Sequence, residues 1–260
     1  NEVTAILERS NKEFVDESKK YRKQKYLDKV LSSNKNYFEH FDLMKELAEV
    51  LKNRRKKEGY LALEIPETKI KLSKLGKPIS VEPYETTIAN DIIEQFMLTA
   101  NETIAERFFW INAPFIYRVH DKPSEVKIKE LNKYLYSFGY RIKGKKDDVK
   151  PKAFSQILEK AKGTEEERII SNLLLRTLKI ARYESTNKGH FGIASKYYCH
   201  FTSPIRRYPD LFIHRVISKY LEKGYNLSDE YKSELSVLAS KYADNSSACE
   251  QNATKAERES

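Results

Sequence analysis

Between Ile88 and Phe108 apolar residues return every three or four positions: Ile88, Ile92, Ile93, Phe96, Met97, Ala100, Ile104 and Phe108. At 100° per residue this spacing collects them into one stripe running about six helical turns. A stripe of that length is stable in water only when other elements cover it, so the segment demands a packed, multi-element fold. Thr87 stands where a helix N-cap belongs.

The remaining pattern is mostly helical. Residues 11–29 form a charged, weakly amphipathic stretch. Over 37–57 the apolar positions (Phe38, Phe41, Leu43, Met44, Leu47, Val50, Leu51) again follow helical spacing, until the basic run Asn53-Arg-Arg-Lys-Lys-Glu-Gly59 ends them. From Tyr60 to Glu82 β-branched residues enter around the turn Lys74-Leu-Gly-Lys-Pro78, which predicts a hairpin. Ser124 caps a helix running to Gly139, and Pro151 opens one that ends at Gly163. Thr164-Glu-Glu-Glu167 has capping-box form ahead of the apolar Ile169–Leu175 helix. Further helices are predicted from Pro209 to Gly224 and from Ser228 onward. The expected fold class is α+β, predominantly helical, with no internal repeat and no linker to mark a domain border.

With 260 residues, 40% of them hydrophobic and 12% aromatic, the chain can bury a proper core. Its 48 Lys and Arg against 38 Asp and Glu leave a net charge of +10, which favours a polyanionic partner but also serves ordinary solubility. Cys199 and Cys249 are too few for a disulfide framework and lack metal-ligand spacing, which fits a reducing cytoplasm. No apolar run reaches the roughly 18 residues of a membrane span. The start at Asn1 without Met and the polar finish at Ser260 give the expectation of a piece excised from a longer chain.

Chemistry-bearing residues crowd into His200–Arg215, HFTSPIRRYPDLFIHR, which holds three arginines and two histidines between and around two prolines. Pro204 and Pro209 stiffen the backbone, so Arg206 and Arg207 are presented on a fixed turn ahead of a helix N-terminus, a geometry suited to bidentate phosphate contact. The competing reading pairs one of these arginines with Asp210 or has it cap a neighbouring helix. His40, His120, His190, His200 and His214 form no metal-binding spacing, and no nucleophile elbow, Walker loop or dinucleotide glycine pattern occurs. Asp147 and Asp148 sit in a polar stretch that reads as a solvated loop. Glu94 lies beside the apolar stripe, where a carboxylate needs a partner, and a basic or metal-lined cleft could supply one.

Four segments together, His200–Leu211, Glu94-Gln-Phe-Met-Leu-Thr-Ala-Asn101, Pro114-Phe-Ile-Tyr-Arg-Val-His-Asp-Lys-Pro123 and Gly189-His-Phe-Gly192, resemble the ribonuclease II and ribonuclease R family of processive 3′→5′ exoribonucleases, and most of all ribonuclease R. The resemblance runs in order from Val3-Thr-Ala-Ile-Leu7 to the end. It implies an α+β catalytic domain with a channel for single-stranded RNA, hydrolysis to nucleoside 5′-monophosphates at a buried Mg²⁺ site, and a cytoplasmic, monomeric protein. Carried over residue by residue, Arg206 matches the arginine that stabilises the pentacoordinate phosphate, Glu94 an acidic residue of the active-site region, and Glu257 a second glutamate near the 3′-terminal nucleotides. His200, Thr202, Ser203, Arg207 and Tyr60 are expected to contact RNA.

The family's clustered metal-binding aspartates belong upstream of Val3. Residues 1–260 therefore read as the C-terminal portion of the catalytic domain, without the metal-binding part or the flanking RNA-binding domains, and as inactive alone. Leu63 also stands where the family often places a base-clamping aromatic, with Tyr60 three residues earlier. The alternatives are a non-catalytic RNA-binding member of the family and a helical scaffold whose charge only aids solubility.

Overall fold

A computed structural model describes residues 24–25, 28–29, 32–33, 37–61, 68–83, 86–142 and 149–259. The segment Val3–Leu7, Leu63 and the Asp147–Asp148 pair, together with most of the 11–29 stretch, lie outside the described residues. The chain divides into two compact units, residues 1–47 and 48–260. In the first, the described residues are helical apart from a short turn at Tyr37, and the Gln24 amide donates to Asp28 one turn on. The candidate site residues all lie in the second.

Helix α1 (Phe38–Glu58) carries Ala48, Leu51 and Arg55 as its buried positions and stops at Gly59. Gly59 has φ +103°, and a Cβ there would stand 2.5 Å from the Lys152 backbone nitrogen, so this stop requires glycine. Strands β1 (Thr68–Leu72) and β2 (Pro78–Pro83) then form the predicted antiparallel hairpin, with Ile70 opposite Val81. Helix α2 (Ile88–Trp110) begins where Thr87 was expected to cap it: the Thr87 N–H donates to Asn90 Oδ1 at 2.9 Å.

The orientation of α2 corrects the sequence reading. Ile88, Ile93 and Met97 are exposed, whereas Gln95, Leu98, Asn101, Ala105 and Phe108 are buried. The buried face keeps Phe108 of the stripe but is turned toward Gln95 and Asn101, for which polar partners wait. Arg55 lies in the same dry seam, its guanidinium donating to Gln95 Oε1, Thr99 Oγ1 and Glu102 Oε1 at 3.1, 3.0 and 2.6 Å. The basic run expected to end α1 is thus partly internal.

Two cores organise the second unit. One joins Ala105 and Phe108 of α2 to the short strand β3 (Tyr117–Val119), and to Phe212, Ile213 and Val216 of the later helix α6 (Tyr208–Glu222). It continues into Leu235, Ala239 and Ala243 of the long helix α7 (Asp229–Glu259). The other packs Leu131 and Leu135 of α3 (Glu125–Ser137) with Phe154 and Ile157 of α4 (Pro151–Ala161) and Ile170 and Leu174 of α5 (Glu167–Thr177). Ser124, Pro151 and Ser228 occupy the predicted helix starts. Helix α5 begins later than its Thr164 signal: that hydroxyl donates back to the Ala161 carbonyl, and the Glu167 carboxylate accepts from the Gly163 N–H. Strand β4 (Arg182–Glu184) pairs antiparallel with β3, and neither strand was visible in the residue pattern.

Candidate active site

The arginine loop is a tight turn feeding α6. The Ser203 carbonyl accepts from the N–H groups of Arg206 and Arg207 at 3.3 and 3.1 Å. Beneath the turn sits Asp210, wholly buried. It accepts from the Ser203 N–H at 2.8 Å, and from Arg207 through Nε at 2.9 Å and Nη2 at 2.7 Å. One turn on, His214 Nε2 donates to the Phe201 carbonyl at 2.9 Å and its ring stacks on Phe201 with centroids 4.3 Å apart. Of the two arginines, Arg207 is the one held by Asp210. Arg206 is exposed, and among the described residues its guanidinium has neither hydrogen bond nor ion pair. Thr202 and Ser203 are half-buried in the same turn.

Behind the loop stands a wall of rings. Tyr198 lies between His190 and His200, at centroid separations of 5.3 and 5.8 Å. Asn101 of α2 fixes this wall to the loop: its amide nitrogen donates to Tyr198 Oη at 3.1 Å and its oxygen accepts from the Phe201 N–H at 2.9 Å. Burial, then the neighbouring cations led by Arg207, push the His200 imidazole down to about 2. Burial, with His120 and Arg118, takes His190 down to about 3, so both rings are neutral at physiological pH. His200 Nδ1 lies 2.9 Å from Tyr183 Oη on β4. Arg118 on β3 covers the Tyr183 ring at 4.6 Å and forks onto Glu250 of α7 at 2.6 and 3.0 Å.

Glu94 has a partner, but a different one from that expected. Tyr60 Oη donates to Glu94 Oε1 at 3.1 Å, in place of a basic or metal-lined cleft. Burial and the Glu94 charge push the Tyr60 phenol well above its ordinary range, so it stays a donor. Glu257 stands on the exposed last turns of α7. The structure therefore gathers His200, Thr202, Ser203, Arg206 and Arg207 in one turn, pairs Tyr60 with Glu94, and leaves Glu257 at a helix end. Arg118, Tyr183, Glu250 and Asn101 carried no sequence assignment. Arg118 stood inside a quoted motif, but its partner Glu250 is 132 positions away and gives no local signal.

Among the described residues no three His, Cys, Asp or Glu side chains are grouped to hold a metal ion, so they do not by themselves fit the Mg²⁺ ion that the resemblance implies. No helix among them is long and apolar enough to cross a membrane.

Residues 1–223 match the RNB domain. The chain belongs to the RNB family. It is 40% identical over 230 residues to ribonuclease R of Thermotoga maritima, covering 87% of this chain and 32% of that protein. Among solved structures, Mycoplasma genitalium RNase R in complex with ribose-methylated single-stranded RNA superposes with a TM-score of 0.79 and 31% identity, over 84% of this chain and 34% of that one. Yeast Ssd1, a pseudonuclease, shares the fold at a TM-score of 0.59 and 22% identity, over 80% of this chain and 26% of its own. The chain spans about a third or less of the length of its curated ribonuclease R relatives. Family membership and the mostly helical α+β fold agree with the sequence reading.

Proposed function

We propose that this chain is the C-terminal part of the catalytic domain of a Mg²⁺-dependent, cytoplasmic 3′→5′ exoribonuclease that hydrolyses single-stranded RNA to nucleoside 5′-monophosphates. The observation that carries the reading is the division of labour between adjacent arginines. Arg207 is locked onto buried Asp210, and the lock stiffens the turn that holds Arg206 open with an uncommitted guanidinium. An unpaired cation presented on a stiff turn beside the scissile phosphate stabilises the charge growing on its oxygens in the transition state. Glu94, oriented by Tyr60, is suited to accept from the sugar hydroxyls of a terminal nucleotide. The net charge of +10 supports a sequence-independent grip on the backbone. Metal ligands are expected upstream.

Single-turnover hydrolysis of labelled oligoadenylate by the parent protein tests this. Arg206→Ala is expected to lower the rate by a factor of about 10² or more while binding falls far less. Equal losses in both would reduce Arg206 to a phosphate anchor. The fold shared with a pseudonuclease keeps a second reading in play, an RNA-binding member without catalysis. Binding with no hydrolysis by the unmodified parent in Mg²⁺ would favour it.

A further inference from the structure

The wall behind the arginine loop contains a device that the proposed reaction does not use. Tyr183 is buried, and among the described residues its hydroxyl has one hydrogen-bond partner, His200 Nδ1 at 2.9 Å. A buried hydroxyl needs an acceptor, so Tyr183 donates and Nδ1 accepts. A neutral imidazole that accepts at Nδ1 carries its proton on Nε2. His200 Nε2 has no partner among the described residues, yet the sole sealed and unsatisfied side-chain atom among them is His120 Nε2. His200 Nε2–H therefore reaches solvent.

The donor is held from behind. Arg118 lies on the Tyr183 ring and is itself clamped in bidentate fashion by Glu250 of α7. The Tyr183 N–H donates to Ser247 Oγ on the same helix at 2.9 Å. Two elements distant in sequence thus fix the ring that fixes the histidine. Six residues further along the chain is Arg206, whose charge already acts on the His200 ring.

We propose that Tyr183, braced by Arg118 and Glu250, is a positioning residue that locks His200 as an Nε2–H donor to an RNA backbone phosphate beside the one met by Arg206. This rests on the reading of the loop as an RNA site. The donation is neutral: His200 adds a directed hydrogen bond without adding charge, and it leaves the salt dependence of binding to the arginines and lysines.

Two measurements test it. In a long-range ¹H–¹⁵N spectrum of the histidine-labelled protein, His200 should show the Nε2–H tautomer at neutral pH, and Tyr183→Phe, which deletes a single oxygen, should populate the other tautomer. Affinity for a fluorescent oligoadenylate supplies the second. His200→Gln places an amide N–H near the Nε2 position and should retain most of the binding, whereas His200→Asn and His200→Ala should each lose about tenfold or more. An Nδ1–H tautomer in the unmodified protein overturns the proposal, as does equal binding by all three His200 variants while Arg206→Ala still weakens it. If the unmodified protein does not bind oligoadenylate, the RNA reading fails, and the phosphate contact fails with it.

Discussion

Replacing Asp210 by asparagine separates the two tasks that share the arginine loop. The carboxylate is wholly buried and satisfies the Ser203 N–H and two N–H groups of Arg207. An asparagine offers one acceptor oxygen, and its amide NH₂ faces donors on the other side. One or two charge-assisted hydrogen bonds are lost, at about 1.5–3 kcal/mol each, and Arg207 is left partly desolvated without its counterion. The expected cost is about 3 kcal/mol. In a urea titration with a slope near 3 kcal/mol per molar, that is a midpoint shift of about 1 M with the slope unchanged. Arg206→Ala, one residue before Arg207, touches no partner and should stay within about 0.5 kcal/mol of the unmodified protein. A shift of less than about 0.5 kcal/mol for Asp210→Asn, or equal destabilisation by the two variants, would refute the separate role of Asp210.

Three further outcomes are expected. Gly59→Ala should destabilise by more than about 1 kcal/mol in the same titration, because the residue sits at φ +103° against the Lys152 backbone. Stability should fall as pH drops below 6.5: His190 and His200 protonate readily when unfolded but stay neutral in the fold down to about 3 and about 2, so the unfolded state binds more protons throughout that window. His190→Asn, which keeps an acceptor for the Ile193 N–H, should flatten part of that slope when urea midpoints are compared between pH 4 and 7. Tyr60→Phe should cost about 1 kcal/mol. It should also remove one of the phenols that ionise only above the ordinary tyrosine range in an ultraviolet titration, since burial and Glu94 hold that proton on.

Helix boundaries were legible because caps are local. Ser124, Pro151, Pro209 and Ser228 act on backbone groups within one turn, and each marks a helix start in the structure. The Arg207–Asp210 lock was among the readings left open, since three residues on a helix bring side chains together. The face that α2 buries was not legible. Apolar count favoured Ile88, Ile93 and Met97, but the inward face carries Gln95, which accepts from Arg55, and Asn101, which donates to Tyr198 and accepts from the Phe201 N–H, all distant in sequence. Strands β3 and β4, three residues each, are too short to display an alternating pattern. The bracing of His200 by Tyr183, Arg118 and Glu250 spans the chain, so only the fold assembles it.

Arg55 has one more consequence, which concerns alignment. An apolar contact between α1 and α2 tolerates a slip along the helix axis, since one side chain can fill a neighbour's space. A guanidinium with acceptors at Gln95, Thr99 and Glu102 is stricter: moved by a fraction of a turn, its fork would be pulled out of line with those acceptors in a dry seam. The buried arginine acts as an indexing pin, and Tyr60, five residues later, meets Glu94 because the helix it follows is clicked into a single notch.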